Sequence, residues 1–141
     1  MYRALRADKL TLAALEAGLL IYLDMDNTKA EIPVLSMLLA PPEALKEKAA
    51  GLLAMLDAKF DAILQPTTGQ AGGGSLPVQD FESWAVAIPQ SENCTVEALE
   101  KHLRSWQTPI IARVYKDTLL LDVRTVDEGD FVAIAECLQN L

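Results

Sequence analysis

Cysteine is scarce in this chain, and its scarcity removes two classes of protein at once. Cys94 and Cys137 are the only two among 141 residues, too few for a disulfide framework, and neither has a second Cys or a His at zinc-ligand spacing. They read as free thiols of a reducing compartment, and no metal site is expected. The single histidine, His102, stands beside Glu100 and Lys101 with no serine or cysteine matched to it. It builds no hydrolytic triad and reads as a surface residue. No apolar run approaches the roughly twenty residues of a membrane-spanning helix, and the start shows no charged-then-apolar leader with a cleavage site. A cytoplasmic location is the expectation. Positive charge is the last shortage: 12 Lys and Arg against 20 Asp and Glu leave a formal charge of −8 and a pI near 4.5. Most of such a surface repels a phosphate backbone, so any RNA contact must be local or lie elsewhere.

What the chain does have is apolar bulk, 51% hydrophobic residues against 23% charged, enough in one domain's length to bury a core without staples. Leu12, Leu15, Leu19 and Leu23 recur at helical spacing behind Asp8, a capping residue, and predict a helix over about 8–23. After a polar break at 24–29, a short helix through Met37 and Leu38 stops before Pro41-Pro42. A further helix begins at Pro42, with Leu45, Ala49, Leu52, Leu53 and Leu56 on one stripe and Lys46, Glu47 and Lys48 as its solvated face. Residues 60–65 then read as a strand and 67–74 as a turn-rich connection.

The second half continues as a mixture of both element types. Residues 83–88 form a second predicted strand, with Trp84, Val86 and Ile88 on one face and Ala85 and Ala87 on the other, small enough to admit a closely packed helix. A helix over 95–106 carries Val96, Leu99 and Leu103. Strands over 110–115 and 119–123 are joined by Lys116-Asp117 in a hairpin, and a last helix from about Glu128 carries Phe131, Ile134, Ala135 and Leu138. No internal repeat or disordered linker interrupts the order. It predicts an α+β fold, a mainly antiparallel sheet covered on one face by helices.

The chemistry concentrates in few residues. Arg3 and Arg6, three apart at the mouth of the first helix, could point the same way and clamp a phosphate-like anion through bidentate forks; taken alone, Arg-x-x-Arg is more often a basic helix entry. Arg113 and Arg124 fall on neighbouring predicted strands and could share a face, with pairing to Asp122 or a glutamate as the structural alternative. The run Gly72-Gly73-Gly74-Ser75 lacks the Gly-Lys-Ser/Thr ending of a phosphate loop and reads as a sharply turning connection.

The string from Arg3 to Ala17, the Gly72–Pro77 run, and the segments Ile111–Arg113 and Leu121–Val126 together resemble the bacterial selenocysteine synthase family, the L-seryl-tRNA(Sec) selenium transferases. The islands occur in the family's order and span the chain. The resemblance implies the C-terminal part of an aspartate-aminotransferase-type (fold type I) pyridoxal phosphate enzyme: a connecting helix and linker over 1–31 and a small α+β domain over 32–141, with the large cofactor domain absent. It implies an activity in which L-seryl-tRNA(Sec) becomes L-selenocysteinyl-tRNA(Sec) with selenophosphate as donor, in a cytoplasmic homo-oligomer. It places Arg3 and Arg6 at the selenophosphate or phosphate, with Arg113 and Arg124 as weaker candidates, and the Schiff-base lysine outside this chain, so that the chain alone is expected to be inactive. Met1-Tyr2 running straight into the motif fits an excised piece. Two rival readings are a stand-alone interaction or regulatory domain that kept the fold, and a related pyridoxal phosphate enzyme acting on a phosphorylated amino acid.

Overall fold

Residues 6–24, 28–71, 80–91 and 94–141 are described by the structure, a computed structural model, and of Ala30 the backbone only. Arg3 and the Gly72–Pro77 run lie outside the described residues. The chain forms two compact units, Met1–Leu39 and Ala40–Leu141.

The first unit is helical. Helix α1 spans Lys9–Ile21, and its start is set by Asp8, whose Oδ1 accepts the amides of Leu10 at 2.8 Å and Thr11 at 2.9 Å while Oδ2 accepts the Thr11 hydroxyl at 2.8 Å. These bonds satisfy amides that a helix start leaves open. They favour the charged carboxylate, the Thr11 amide most, and hold Asp8 below its ordinary value of 3.8. Beyond α1 the Thr28 hydroxyl, buried, donates to the carbonyls of Ile21 and Asp24. That bond starts a turn of helix, α2 at Thr28–Glu31, within and just past the predicted polar break. Helix α3 follows at Pro33–Leu39, with proline in the first turn, where its missing N–H costs nothing. The leucine stripe of α1 is not a core: Leu12 is 54% exposed, Leu15 and Leu19 57%, and Leu23, just past the helix, 80%.

The second unit is built on a four-stranded antiparallel sheet of order β1-β2-β4-β3, with β1 at Ile63–Gln70, β2 at Asp80–Pro89, β3 at Arg113–Tyr115 and β4 at Thr118–Asp122. Its core lies on one face. Val86 and Ile88 pair with Leu121 and Leu119, and over them pack Leu45, Ala49 and Leu52 of α4 (Pro42–Ala54), Val96, Leu99 and Leu103 of α5 (Val96–Ser105), and Phe131, Ile134 and Leu138 of α6 (Phe131–Gln139). The predicted stripes are therefore the observed core stripes of all three helices. Thr95 caps α5, its hydroxyl oxygen accepting the Ala98 amide at 3.3 Å. Each of the larger buried side chains stabilises the fold by about 1.5–3 kcal/mol over leaving it in water.

Three expectations change. Strand β1 begins at Ile63 and runs on through Gln70, so Thr67–Gln70 is strand and not turn. Pro66 and Gly69 disguise it, and Pro66 is tolerated because β1 is an edge strand whose outer side needs no donor. Phe60 instead sits in a 3-10 turn, Ala58–Phe60, capped by Asp57 and closed by Asp61 at φ 47°. In the third quarter, residues 110–112 are not strand, since β3 holds only Arg113–Tyr115. Finally, Ala85, Ala87 and the paired Leu120 form a separate buried patch on the face opposite the one that α4, α5 and α6 cover, with none of these three helices packed on it.

The β3–β4 hairpin turns on two residues, Lys116 at φ 49° and Asp117 at φ 55°, the pair of positive values that a type I′ turn demands. Glycine at the second position is the favoured choice. Asp117→Gly is expected to stabilise the chain by about 0.5 kcal/mol, read as a rise in the urea midpoint at unchanged slope; a fall in that midpoint would contradict the turn assignment.

Candidate functional site

The sheet face opposite the helices carries Gln65, Thr67, Arg113 and Tyr115. Arg113 enters it from β3, beside Leu120. Its Nη1 donates to the Thr68 carbonyl at 2.9 Å and its Nη2 to the Thr67 hydroxyl. In a flat sheet β3 and β1 would lie three strand spacings apart, about 14 Å, beyond the reach of an arginine. The contact therefore requires the sheet to curl, which brings the outer half of β1 back toward β3 across β4 and β2. Small Ala85 and Ala87 on that face leave room for the crossing.

A groove of about 920 Å³ is lined by Gln65, Thr67, Arg113 and Tyr115, which the register puts on the face opposite the helices, and by Lys46 and Trp84, which belong to the face that carries α4. Lys46, on the first turns of α4, holds its ammonium 4.9 Å from the centre of the Trp84 ring. Glu43 and Glu82 also line it. Neither carboxylate lies within 4 Å of Arg113 or Lys46, since the ion pair found among the described residues is Arg104–Glu100 at 2.8 Å. Lys46 and Glu47 are exposed, as expected of the solvated face of α4, whereas Lys48, set on the same face, is half-buried and donates to the Val126 carbonyl. Nothing in the periodicity of α4 distinguishes Lys48 from Glu47; the Val126 carbonyl, far away in sequence, does.

Arg124 takes a different place from the one expected. It lies not on a strand but in a 3-10 turn, Val123–Thr125, because the Asp122 Oδ1 accepts the Arg124 amide at 3.1 Å and bends the chain. Its guanidinium donates through Nη2 to the Glu82 carbonyl and stands 5.9 Å from the Phe81 ring centre. The same Asp122 oxygen accepts the buried Ser83 hydroxyl at 2.6 Å. These contacts fasten the end of β4 to β2, a structural task. Arg6 is exposed, two residues ahead of the Asp8 cap, and has no carboxylate within 4 Å among the described residues. His102 is not a free surface residue: half-buried, its Nε2 lies 2.9 Å from the Cys137 carbonyl and its ring 5.7 Å from that of Trp106, tying α5 to α6.

A Schiff-base lysine works from a desolvated pocket. Of the seven lysines, Lys9, Lys29, Lys46, Lys59, Lys101 and Lys116 are exposed, and half-buried Lys48 donates to the Val126 carbonyl. The residues present do not fit a covalently held pyridoxal phosphate. Among the described residues no group of three or more His, Cys, Asp and Glu could hold a metal ion, and no helix is long and apolar enough to cross a membrane.

The described residues thus define a small α+β domain with a groove lined by both cations and carboxylates, joined in sequence to a helical segment that opens on an exposed arginine. The sequence model of the L-seryl-tRNA selenium transferases matches residues 1–127, and the chain belongs to that family. Among its relatives are the L-seryl-tRNA(Sec) selenium transferases of Moorella thermoacetica, 45% identical over 140 residues, Nitratidesulfovibrio vulgaris, 39% over 142, and Maridesulfovibrio salexigens, 35% over 143. The matches cover 96%, 98% and 99% of this chain respectively. They cover only 30%, 30% and 31% of the relatives, so the chain spans about a third of the length of the curated proteins it matches.

Proposed function

We propose that this chain is the C-terminal part of a cytoplasmic, homo-oligomeric L-seryl-tRNA(Sec) selenium transferase. The observation that carries the reading is the 45% identity maintained over 96% of the chain to a protein of that name, of which it makes up 30%. In the whole enzyme the serine oxygen of L-seryl-tRNA(Sec) is exchanged for selenium from selenophosphate, and phosphate is released. Pyridoxal phosphate supplies the electron sink for such an exchange at the serine β-carbon. Its lysine belongs to the remaining two thirds of the polypeptide, in keeping with seven lysines here that are exposed or committed to a carbonyl.

The chain's own share is anion handling and closure over the site. Arg3 and Arg6 hold the selenophosphate, and then the phosphate, through guanidinium forks that neutralise charge as the Se–P bond breaks. Arg113 and Arg124 rank behind them: Arg124 is engaged in fastening β4 to β2, and Arg113 sits on the open groove. The α+β unit acts as the small domain of a fold type I enzyme.

The test is turnover. With seryl-tRNA(Sec), selenophosphate and pyridoxal phosphate, the intact polypeptide is expected to form selenocysteinyl-tRNA(Sec) and the 141-residue chain to form none. Product from the chain alone would overturn the assignment of the lysine elsewhere. No product from the intact polypeptide would overturn the activity itself.

A further inference from the structure

We infer that Arg113 and Arg124 form a two-sided clamp on the outer stem of the β1–β2 hairpin, locking it to the β3–β4 hairpin so that the stem opens as one unit. The clamp rests on geometry within the second unit and not on the activity proposed above.

The two arginines meet at one rung of the ladder. Arg113 Nη1 donates to the Thr68 carbonyl at 2.9 Å, and Arg124 Nη2 donates to the Glu82 carbonyl. Thr68 and Glu82 are partners in the β1–β2 register, so the guanidiniums hold the same rung from its two sides. In an antiparallel ladder, successive pairs turn their backbone groups alternately toward each other and away from each other. With both carbonyls taken from outside, Thr68–Glu82 is a pair of the second kind. Pro66–Trp84, two residues along, is another, and there the missing proline N–H costs no ladder bond. The intervening pairs Thr67–Ser83 and Gly69–Phe81 carry the bonds between the strands.

The rung takes its donors from side chains because no strand among the described residues supplies them. β1 is an edge of the sheet, and the β2–β4 ladder ends at Ala85–Asp122, before Glu82 is reached. Beyond that point the stem is a two-stranded ribbon, an arrangement marginal by itself in water. Both arginines come from the other hairpin: Arg113 opens β3, and Arg124 sits in the turn just after β4. Further contacts orient each of them. The Thr67 hydroxyl accepts from Arg113 Nη2. The Asp122 carboxylate accepts both the Arg124 amide and the Ser83 hydroxyl, and the Arg124 guanidinium stands 5.9 Å from the Phe81 ring centre. Bonds from a charged donor are stronger than those between neutral groups, so two side chains stand in for the strands that the rung lacks.

The test is amide hydrogen exchange, resolved residue by residue by NMR, on the full 141-residue chain. The reporters are the amides of Thr67 and Gly69 on β1 and of Phe81 and Ser83 on β2, the pairs on either side of the clamped rung. Arg113→Met is expected to speed exchange at all four about fivefold, although the bonds of its guanidinium go to β1. Arg124→Met should speed the same four by a similar factor, although its guanidinium bonds to β2. The inner pairs Ile63–Ala87 and Gln65–Ala85, in the part of the sheet that β4 completes, should keep their rates. So should Leu99 and Leu103 of α5, whose exchange reports loss of the whole fold. Arg113→Lys should fall between wild type and Arg113→Met, because an ammonium has no fork to span both acceptors. Thr67→Val removes only the hydroxyl acceptor and keeps the test valid if Arg113→Met does not fold; it should speed the same four amides about twofold. Unchanged exchange at all four in both Arg124→Met and Thr67→Val overturns the clamp. Acceleration confined to β1 in the Arg113 and Thr67 variants and to β2 in Arg124→Met overturns it as well, since two independent tethers would then explain the contacts.

Discussion

Arg6→Ala in the intact polypeptide is expected to lower selenocysteinyl-tRNA formation by about 10²-fold or more, the loss typical when a group that stabilises developing charge is removed. The reasoning starts from Asp8, the nearest carboxylate in sequence. Its two oxygens are occupied by the Leu10 and Thr11 amides and the Thr11 hydroxyl, so it is committed to capping α1 and is not spent on Arg6. With no carboxylate within 4 Å among the described residues, the Arg6 charge is available to an incoming anion. Arg6→Lys should recover only part of the loss, because an ammonium offers a point charge where a planar fork makes two parallel bonds. The kinetic split identifies the role. A rise in the KM for selenophosphate at constant kcat means ground-state holding of the donor, and a fall in kcat means stabilisation as phosphate departs. Inhibition by inorganic phosphate should weaken in parallel. Unchanged dependence on selenophosphate in both Arg6→Ala and Arg3→Ala would remove the pair from the donor site.

Much of the fold was legible because its signals are local. Asp8 and Thr95 cap the helices they precede, Pro42 opens α4, and the stripes of α4, α5 and α6 fall on the sheet as their spacing requires. Alternation along β2 correctly separates Trp84, Val86 and Ile88 from Ala85 and Ala87. What escaped depends on partners far away in sequence. The outer half of β1 has a loop's composition and becomes strand only by pairing with Asp80–Ser83. His102 looks solvated until the Cys137 carbonyl of α6 meets it. Lys48 looks like any helix-surface lysine until the Val126 carbonyl meets it. The leucine stripe of α1 reads as a core face and is exposed; periodicity records that a face is apolar, not what covers it.

Leu52→Ala is expected to destabilise the second unit by about 3 kcal/mol, within the range of about 2–5 for truncating a buried leucine. Leu52 is fully buried on α4, facing a sheet that is itself closely packed, so the space it leaves cannot close without moving the helix. Against a domain stability of about 5–15 kcal/mol the loss is a large fraction. The urea midpoint should fall at unchanged slope. Leu15→Ala on α1, at a site 57% exposed, should stay within about 0.5 kcal/mol in the same chain. That pair separates a leucine that builds the core from one that only resembles a core residue in its spacing. A cost below about 1 kcal/mol at Leu52 would mean that α4 is not seated on β2, and it would remove with it the placement of Lys46 over Trp84, since the same helix carries both residues.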